Sequence, residues 1–576
     1  MSLTNHVDRP VRTPWRVVRM LLRGAGVGVL VLAGLGLLAW STLYWAILPR
    51  IGDWRPQIER LASTAVGLPV QIGRISITSP GWVPRFELTD VVLRDVQGRE
   101  ALRLPQVVAG LDVAPLLAGR LRFDALHIEG ARLEVRRDAQ GRIHVAGLDV
   151  ADAAPGAALD GAAAADWFFD QPEFAIAHGS LRWIDEQRSA PPLDLSDVAL
   201  QVRRRLLGHE LQLQATPPAG WGQRLSLHVQ AQAPLLARPG DWLQWRGTLQ
   251  ADLPRVDMAQ LHLHVGLPFT LQRGAGAVHA KVEWDRGVAL AATMDLGLRD
   301  VSLRLQPELA PLDFAALGLR LVAQRNADGA QVKASDLSFT LADGRTWPAS
   351  TLSLAWRQAG PGTATGAEPV TVSAPVTGGQ FEADRLDLPL LADLAERLPL
   401  GVGLRQLLRQ LQPVGQVLGL QAGWDGPLDA PLHYRAKARM TGLAIAAAPQ
   451  PQGLGRPGWR GAQIEFSADQ SGGDGRLVVD HGQIELPGVF EQAVVPLTHF
   501  EADLAWRLTP PSAGSAAPQI DVRVSKARFE NDDATGELQA HWHSGAAPGV
   551  GRGARLPGVL ELSGRIARGR ATRIAR

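Results

Sequence analysis

Short runs in which apolar and polar residues alternate dominate the chain after residue 53. Residues 126–135, 225–232, 289–306, 434–445 and 519–529 are examples, and turns containing Gly, Pro, Asn or Asp separate such runs. A period of two residues is typical of β-strands with one apolar and one polar face, and tight turns between strands indicate antiparallel pairing. The pattern therefore predicts a mainly β protein built on a long antiparallel sheet.

Helical periodicity is clear in two segments. Residues 54–65 follow Asp53, a suitable N-cap, and residues 386–411 carry a second apolar stripe that is interrupted near Pro399 and Gly401. We therefore expect only a few short accessory helices. Loops or linkers are predicted where Ala, Gly and Pro are abundant, at 149–166, 358–379, 449–461, 510–518 and 544–553.

The apolar face of such a sheet needs a cover, and two short helices are too few to provide one. A β-sandwich, a barrel or a β-helix would cover the face with the chain's own residues. The alternative is a long curved sheet whose concave apolar face holds lipid chains. Alternation alone is consistent with both.

One hydrophobic segment precedes the strands. A helix over residues 24–48 would contain no charged side chain, and at ~1.5 Å per residue it would be roughly 37 Å long, against ~30 Å of bilayer hydrocarbon. Five arginines precede it against the single acidic residue Asp8, which predicts that the tail 1–23 is cytoplasmic. A cleaved signal peptide would have a shorter apolar core and a small-x-small site. We therefore predict a retained single-pass anchor with the rest of the chain on the far side.

The amino-acid composition excludes several kinds of site and partner. The 576 residues include no cysteine, which excludes disulfides, thiolate metal sites and cysteine nucleophiles. The formal net charge is only +2, and the arginines are scattered along the strands, so we expect no nucleic-acid partner.

Candidate metal ligands do not converge in the sequence. His262 and His264 alternate on one predicted strand, as do His541 and His543, but no third zinc ligand lies near either pair. Residues 531–533, Asn-Asp-Asp, lack the spacing of a calcium loop and favour a polar turn. We predict no metal and no cofactor.

Candidate catalytic groups are equally dispersed. The adjacent carboxylates Asp185 and Glu186 stand beside a predicted turn, the glycine-rich run 549–558 lacks a surrounding strand-loop-helix unit, and no nucleophile elbow or phosphate-binding loop occurs. An unrecognised envelope hydrolase is therefore disfavoured, and we predict no catalytic residue and no enzyme. The basic run 203–205 suits either a solvated strand end or contact with lipid headgroups.

Several segments resemble known proteins. Residues 67–77, beginning Gly-Leu-Pro-Val-Gln-Ile-Gly, together with 82–95 and 116–130, resemble the N-terminal module of the AsmA-like proteins. An ordered series of six further segments resembles the YhdP branch of that family: 179–187, 245–249, 343–348, 412–415 (Gln-Pro-Val-Gly), 424–427 (Trp-Asp-Gly-Pro) and 529–536.

The resemblance implies an elongated, curved antiparallel half-pipe, or β-groove, in the envelope of a Gram-negative bacterium, related in architecture to TamB and the repeating β-groove bridge proteins. It implies an AsmA-like module at 53–148, a linker at 149–166, a YhdP-like groove at 167–564 and a basic tail at 565–576. The branch usually continues further, so we expect a truncated or split member.

The implied partners are phospholipids, the inner membrane through the N-terminal helix, and outer-membrane or periplasmic proteins. The implied function is movement of phospholipid between inner and outer membranes, in support of the outer-membrane permeability barrier. A non-transporting assembly or scaffolding factor for outer-membrane proteins is the alternative. The candidate groove-lining residues are Leu126, Ile128, Ala131, Leu133 and Val135.

Overall fold

The computed structural model describes most of the chain after residue 51. The described residues are 52–66, 69–79, 85–94, 100–111, 122–145, 148–149, 160–234, 237–267, 269–358, 376–427, 431–448, 456–487, 493–509, 519–544 and 558–569. Within the predicted anchor 24–48 only Val31, Gly34, Leu37, Leu38, Ser41 and Thr42 are described, and they are helical. The anchor otherwise lies outside the described residues, as does the tail 1–23. None of the helices in the described part has the length and apolar character needed to cross a bilayer.

Strands dominate the described residues, with few helices. The helices are α1 (Arg55–Val66), α2 (Asp160–Asp170), α3 (Met258–His264), α4 (Leu388–Leu394) and α5 (Val402–Leu411). The strands are β1 (Val70–Ser79), β2 (Arg85–Arg94), β3 (Glu100–Leu111), β4 (Phe123–Glu129), β5 (Arg132–Arg137), β6 (Ile143–Val145), β7 (Leu148–Asp149), β8 (Glu173–Asp185), β9 (Ala190–Arg205), β10 (Gly208–Thr216), β11 (Leu225–Gln232), β12 (Arg246–Asp257), β13 (Thr270–Asp285), β14 (Val288–Arg304), β15 (Leu312–Asn326), β16 (Gly329–Leu341), β17 (Thr346–Gln358), β18 (Val376–Asp387), β19 (Val414–Asp425), β20 (His433–Ile445), β21 (Gly458–Asp469), β22 (Gly472–Glu485), β23 (Val494–Thr509), β24 (Gln519–Glu530), β25 (Ala534–Ser544) and β26 (Gly558–Gly569).

All of these strands belong to one sheet. From β8 to β26 each strand pairs antiparallel with the next. Strands β1 to β4 form an antiparallel meander, and β4 and β5 both pair in parallel with β8. The prediction of a mainly β chain with a long antiparallel sheet is confirmed, and the two parallel contacts are its exception.

Most predicted strands are found in place. The segment 225–232 is β11, and 289–306, 434–445 and 519–529 differ from β14, β20 and β24 by only one or two residues at their ends. The segment 126–135 is divided at Gly130, which adopts φ +70°, into β4 and β5, and both of these strands pair in parallel with β8. The positive φ of this glycine therefore separates two strands where one run was predicted, while the register against β8 stays the same.

The two predicted helical segments are confirmed. Helix α1 corresponds to 54–65, and 386–411 contains α4 and α5 with the expected interruption between them. The Asp387 carboxylate accepts a hydrogen bond from the Leu390 amide at 3.1 Å and caps α4.

Two further helices correct the sequence interpretation. Helix α2 overlaps 149–166, where a loop was expected, because its alanines have the highest intrinsic helix propensity. Helix α3 contains His262 and His264, so their prediction as strand residues is wrong. The Asp257 carboxylate accepts hydrogen bonds from the amides of Ala259 and Gln260, and this N-cap ends β12.

The helices cover the sheet only locally. Ile58 and Ala62 of α1 and Trp167 of α2 pack on a cluster that includes Ile72 and Ile128. Helices α3 and α4 contribute Met258, Leu390 and Leu394 to a second buried cluster over β12 to β17. We call the strand ends connected through α3, α4 and α5 the helix rim. The opposite ends, where the turns after β9, β13, β15 and β21 lie, are the hairpin rim.

Side chains of α1 cap the outer edge of β1. The Glu59 carboxylate accepts a hydrogen bond from the Ile72 amide at 2.8 Å, and the Ser63 hydroxyl accepts one from the Val70 amide at 2.9 Å. These bonds occupy amides that an edge strand otherwise presents to other chains.

Replacing Glu59 with alanine is expected to lower the free energy of local unfolding at β1 by about 1–2 kcal/mol, since the Ile72 amide loses its acceptor. Hydrogen exchange at the Ile72 amide measures the change. Glu59→Gln keeps an acceptor oxygen and should retain most of the protection. Equal exchange rates in all three proteins would contradict the capping role.

Candidate functional site

A single row of apolar residues crosses the sheet. It takes one residue from each of β1 to β4 and β8 to β26, and each member is the direct Cα partner of the next. We call it the first apolar row: Ile77, Phe86, Ala109, Leu126, Phe174, Val202, Leu211, Val229, Leu249, Val282, Ala292, Ala323, Val332, Leu354, Phe381, Ala422, Ala436, Ala468, Gly473, Trp506, Val522, Trp542 and Leu560. No member carries a charged group.

A second apolar row runs beside it, two residues nearer the helix rim on each strand. From β1 to β19 its directly paired members are Ile75, Leu88, Val107, Ile128, Ile176, Leu200, Leu213, Leu227, Ala251, Ala280, Met294, Leu321, Ala334, Leu352, Ala383 and Leu420. After a register shift between β19 and β20 it continues through Ala438, Phe466, Gly475, Leu504, Val524, Ala540 and Leu562. The two rows together form what we call the apolar face.

The opposite face is polar. The row of residues between the two apolar rows points the other way, and all its members are polar except Val108, Ala175, Val322 and Ala505. Ion pairs cross neighbouring strands on this face, with N–O distances of 3.1 Å for Arg439–Glu465, 2.9 Å for Arg476–Glu501 and 2.9 Å for Lys526–Asp503. The sheet therefore has one face suited to water and one suited to apolar material.

Much of the apolar face is uncovered by the described residues. Phe86, Ala109 and Leu126 are buried in the cluster on which α1 and α2 pack. From β12 to β20, in contrast, members of the first apolar row are half-buried or exposed, and Leu354 is 39% exposed. An internally packed core would bury such side chains fully.

A large cavity lies over the apolar face at β20 to β26. Its volume is about 930 Å³, and its lining includes Ile464, Leu477, Phe500, Leu504 and Val524. Drug-sized ligand sites occupy about 300–1,000 Å³. The cavity is therefore large enough to hold apolar ligand, and its lining comes from the strands that also carry the apolar rows.

Tryptophans mark the hairpin rim of the apolar face. Trp284, Trp356, Trp424, Trp506 and Trp542 lie close to the ends of β13, β17, β19, β23 and β25, and all are half-buried. We call them the rim tryptophans. Indole combines an apolar ring with one N–H donor, which suits a boundary between hydrocarbon and water.

Glycines make room for some of these indoles. A Cβ added to Gly379 would clash with the Trp424 ring, and one added to Gly473 would clash with the Trp506 ring. Both glycines are the register partners of those tryptophans. Sequence reasoning missed this feature, and its available signal was a tryptophan within a few residues of a strand end.

Four of the five candidate lining residues belong to the buried apolar cluster of the N-terminal strands or pack against it. Leu126 and Ile128 belong to the first and second apolar rows, Ala131 is buried in the same cluster, and Leu133 packs against it. Val135 is half-buried and pairs with Trp183 of β8.

The histidine pairs form no metal centre in the part of the chain that the structure describes, where no group of three potential ligands occurs. His262 and His264 lie on α3. His541 Nε2 lies 2.7 Å from the Asp521 carboxylate, and this hydrogen bond lowers the pKa of Asp521. His541 and His543 lie 5.8 Å apart between ring centroids, on β25.

The carboxylates Asp185 and Glu186 do not act as a pair. The Asp185 side chain is fully buried and accepts a hydrogen bond from Arg137 Nε at 3.0 Å. Burial by itself raises the pKa of Asp185, but the Arg137 hydrogen bond and the Arg188 amide outweigh it and hold the pKa below its ordinary value. Glu186 lies 3.5 Å from Arg136 and is largely exposed. Asp185 is therefore a buried ion-pair partner.

The remaining polar motifs have structural roles where they are described. The Asn531 side chain accepts hydrogen bonds from the amides of Asp533 and Ala534, as expected of a polar turn. Each arginine of the run 203–205 meets a carboxylate, with N–O distances of 3.7 Å to Glu173, 2.8 Å to Asp170 and 2.9 Å to Glu210 respectively. The glycine-rich run 549–558 lies outside the described residues up to Gly558.

The Arg205–Glu210 pair predicts a pH effect on the β9–β10 hairpin. Hydrogen bonds from Arg205 and His228 lower the pKa of Glu210 to about 2. An unfolded Glu has a pKa of about 4.3, so the pair stabilises the fold fully above that pH, and the contribution is lost as the pH falls towards 2. We expect Glu210→Gln to reduce local stability by about 1 kcal/mol at pH 7 and by much less at pH 2.

Hydrogen exchange across β9 and β10 at the two pH values measures this difference. Glu134→Gln is the control, since no ion pair within the described residues involves that side chain. A Glu210→Gln effect that is equal at both pH values would contradict the charge-based explanation.

The polar face and the partly uncovered apolar rows define a structural class: proteins built on a single long antiparallel sheet with one continuous apolar face. The model of the YhdP protein family matches residues 1–576, so the chain belongs to that family. Comparison with curated proteins gave no match, and comparison with solved structures gave none.

Proposed function

We propose that this protein carries phospholipids along its apolar face, between the inner and outer membranes of a Gram-negative bacterium. The observation that carries the proposal is the first apolar row, which passes through β1 to β4 and β8 to β26 without a charged or polar member. The family membership is consistent with it.

The length of the row favours a path over a single binding pocket. Neighbouring strands lie ~4.8 Å apart, so the row extends roughly 105 Å along the sheet. One leaflet of a bilayer has ~15 Å of hydrocarbon, half of ~30 Å. Several acyl chains would therefore fit along the apolar face at once.

The mechanism we propose needs no covalent chemistry. An acyl chain exposed to water costs ~0.8 kcal/mol for each CH₂. A sheet curved into a half-pipe with the apolar rows inside would shield the chains. The rim tryptophans would then lie at the level of the headgroups, which remain in water. Movement from strand to strand exchanges one apolar contact for a similar one.

The location is part of the same proposal. Residues 24–48 would anchor the chain in the inner membrane, with the N-terminus in the cytoplasm and the sheet in the periplasm. The open apolar face would there support the outer-membrane permeability barrier by supplying lipid.

Native mass spectrometry of the full chain tests the proposal. A peptide of residues 1–52 is the control, since it measures the lipid bound to the anchor alone. We expect the full chain to hold more phospholipid than this peptide, in stoichiometric excess. A sheet without lipid beyond that amount would contradict it. The non-transporting assembly factor for outer-membrane proteins would then be the better explanation.

A further inference from the structure

One hairpin tip differs from its equivalents on the same rim. The two-residue turns at the hairpin rim after β13, β15 and β21 are Arg286-Gly287, Ala327-Asp328 and Gln470-Ser471. The turn after β9 is Leu206-Leu207, and these side chains are 98% and 66% exposed. Two-residue hairpin turns favour Asn, Asp and Gly, so turn formation does not explain two leucines.

A third exposed leucine lies beside this tip. Leu243 is 51% exposed and belongs to a short 3₁₀ helix, Trp242–Gln244, in the β11–β12 connection. The His209 and Trp245 rings stack with centroids 4.5 Å apart and an interplanar angle of 4°. His209 is two residues from Leu207, and Trp245 is two residues from Leu243. The stack of their rings therefore holds the hairpin tip and the 3₁₀ helix side by side.

We propose that Leu206, Leu207 and Leu243 form a membrane-contact site that inserts into the surface of a phospholipid bilayer. The occupant follows from the shape and chemistry of the site. A protruding point of aliphatic side chains fits the acyl boundary of a bilayer, whereas protein-binding hot spots are enriched in Trp, Tyr and Arg and are poor in Leu.

The neighbouring arginines lie at the right depth for headgroups. Arg203 to Arg205 are one to three residues behind the tip, or ~3–10 Å at ~3.3 Å per residue, and interfacial segments insert ~5–10 Å. Each of these arginines already has a carboxylate partner. Insertion should therefore depend on the apolar side chains and only weakly on anionic lipid or salt.

The site would give lipid a lateral entrance. Val202 of the first apolar row is on the same strand as the tip, four residues from Leu206. A bilayer touching the tip would therefore face the hairpin rim close to the apolar rows. The contact itself does not require lipid to move along the sheet, so it stands independently of the proposed transport.

The absence of cysteine from the sequence makes a direct test possible. Full-length Leu206→Cys and Gln470→Cys proteins are labelled with an environment-sensitive fluorophore and reconstituted into vesicles of phosphatidylethanolamine and phosphatidylglycerol. Gln470 occupies the equivalent tip between β21 and β22. We expect nitroxide carried by the lipid to quench the label at position 206 several-fold more strongly than the label at position 470.

Two other results would overturn the assignment. Equal quenching of both labels by aqueous iodide would show that the tip stays in water. Shielding at position 206 from both quenchers would indicate a protein contact, including one with a second copy of the chain.

A second experiment moves the fluorophore away from Leu206, so that the leucines at the tip can be replaced without changing the labelled position. With the fluorophore at Leu243→Cys, the added changes Leu206→Gln and Leu207→Ser should lower the ratio of inserted to free tip roughly tenfold or more, given the apolar area lost. Unchanged quenching by lipid-borne nitroxide would contradict the site. Neither result depends on the lipid count from native mass spectrometry, so failure of the contact site and failure of the transport proposal are distinguishable.

Discussion

Replacing Leu354 with glutamate is expected to reduce phospholipid movement along the apolar face roughly a hundredfold. Leu354 lies in the first apolar row between Val332 and Phe381, its register partners on β16 and β18. A charged side chain facing hydrocarbon costs about 3 kcal/mol, and each acyl chain would have to cross it. A barrier of that size corresponds to about a hundredfold in rate.

The fold should tolerate the change, since Leu354 is 39% exposed. Substitutions at such positions usually alter stability by well under ~1 kcal/mol. Transfer of fluorescent phospholipid between donor and acceptor vesicles, with the full chain present, gives the rate. Circular dichroism confirms the strand content.

The neighbouring residue supplies a matched control. Ser353 lies on the polar face, where its register partners are Lys333 and Glu382. Ser353→Glu introduces the same charge one residue away and should leave transfer unchanged. Equal loss in both variants, or in neither, would show that the apolar face is not the path.

Replacing Asp185 with alanine is expected to cost about 3 kcal/mol of local stability where β5 meets β8. The Asp185 side chain is fully buried against Arg137, which is itself only 21% exposed. Removing one partner of a buried ion pair leaves the other charge without compensation. Hydrogen exchange of the β5 and β8 amides, in the full chain at neutral pH, measures the loss.

The adjacent carboxylate is the comparison. Glu186 is 42% exposed, and its partner Arg136 lies 3.5 Å away, so Glu186→Ala should cost less than ~1 kcal/mol. Because the pKa of folded Asp185 is below its unfolded value, its contribution is present at neutral pH and is lost as the pH falls below the ordinary carboxylate range. A pH-independent effect, or equal effects of the two substitutions, would contradict the buried-pair explanation.

The alternation of apolar and polar residues was sufficient to predict the strands and the two faces. The segment 225–232 illustrates why: its period of two places Leu227 and Val229 on one face and His228 on the other. The apolar face follows from that pattern in each strand. The excess of strands over helices predicted that part of this face would lack a helical cover, and the exposed side chain of Leu354 agrees with it.

The sequence could not predict which residues become neighbours across strands. The first apolar row depends on register, and register depends on turn lengths and on irregularities such as the one between β19 and β20. The same limit hid the partnership of Gly379 with Trp424, since the two residues are far apart in sequence.

The helix α3 shows how a short pattern misleads. His262 and His264 alternate as strand residues do, but Asp257 caps the following turn through its carboxylate. An N-cap acts on backbone amides that a side-chain periodicity does not reveal. In this short segment the N-cap, and not the period of the side chains, determined the secondary structure.

Photo-crosslinking along β17 and along the first apolar row tests the central claim most directly. A benzophenone amino acid is placed in the full chain at Leu352, Ser353, Leu354 and Ala355, and at Val282, Phe381 and Val522, and the adducts are examined for phospholipid after irradiation in cells. We expect lipid adducts at 352 and 354 but not at 353 and 355, and adducts at the three positions in other strands. Lipid adducts without this period of two, or none along the row, would contradict the claim.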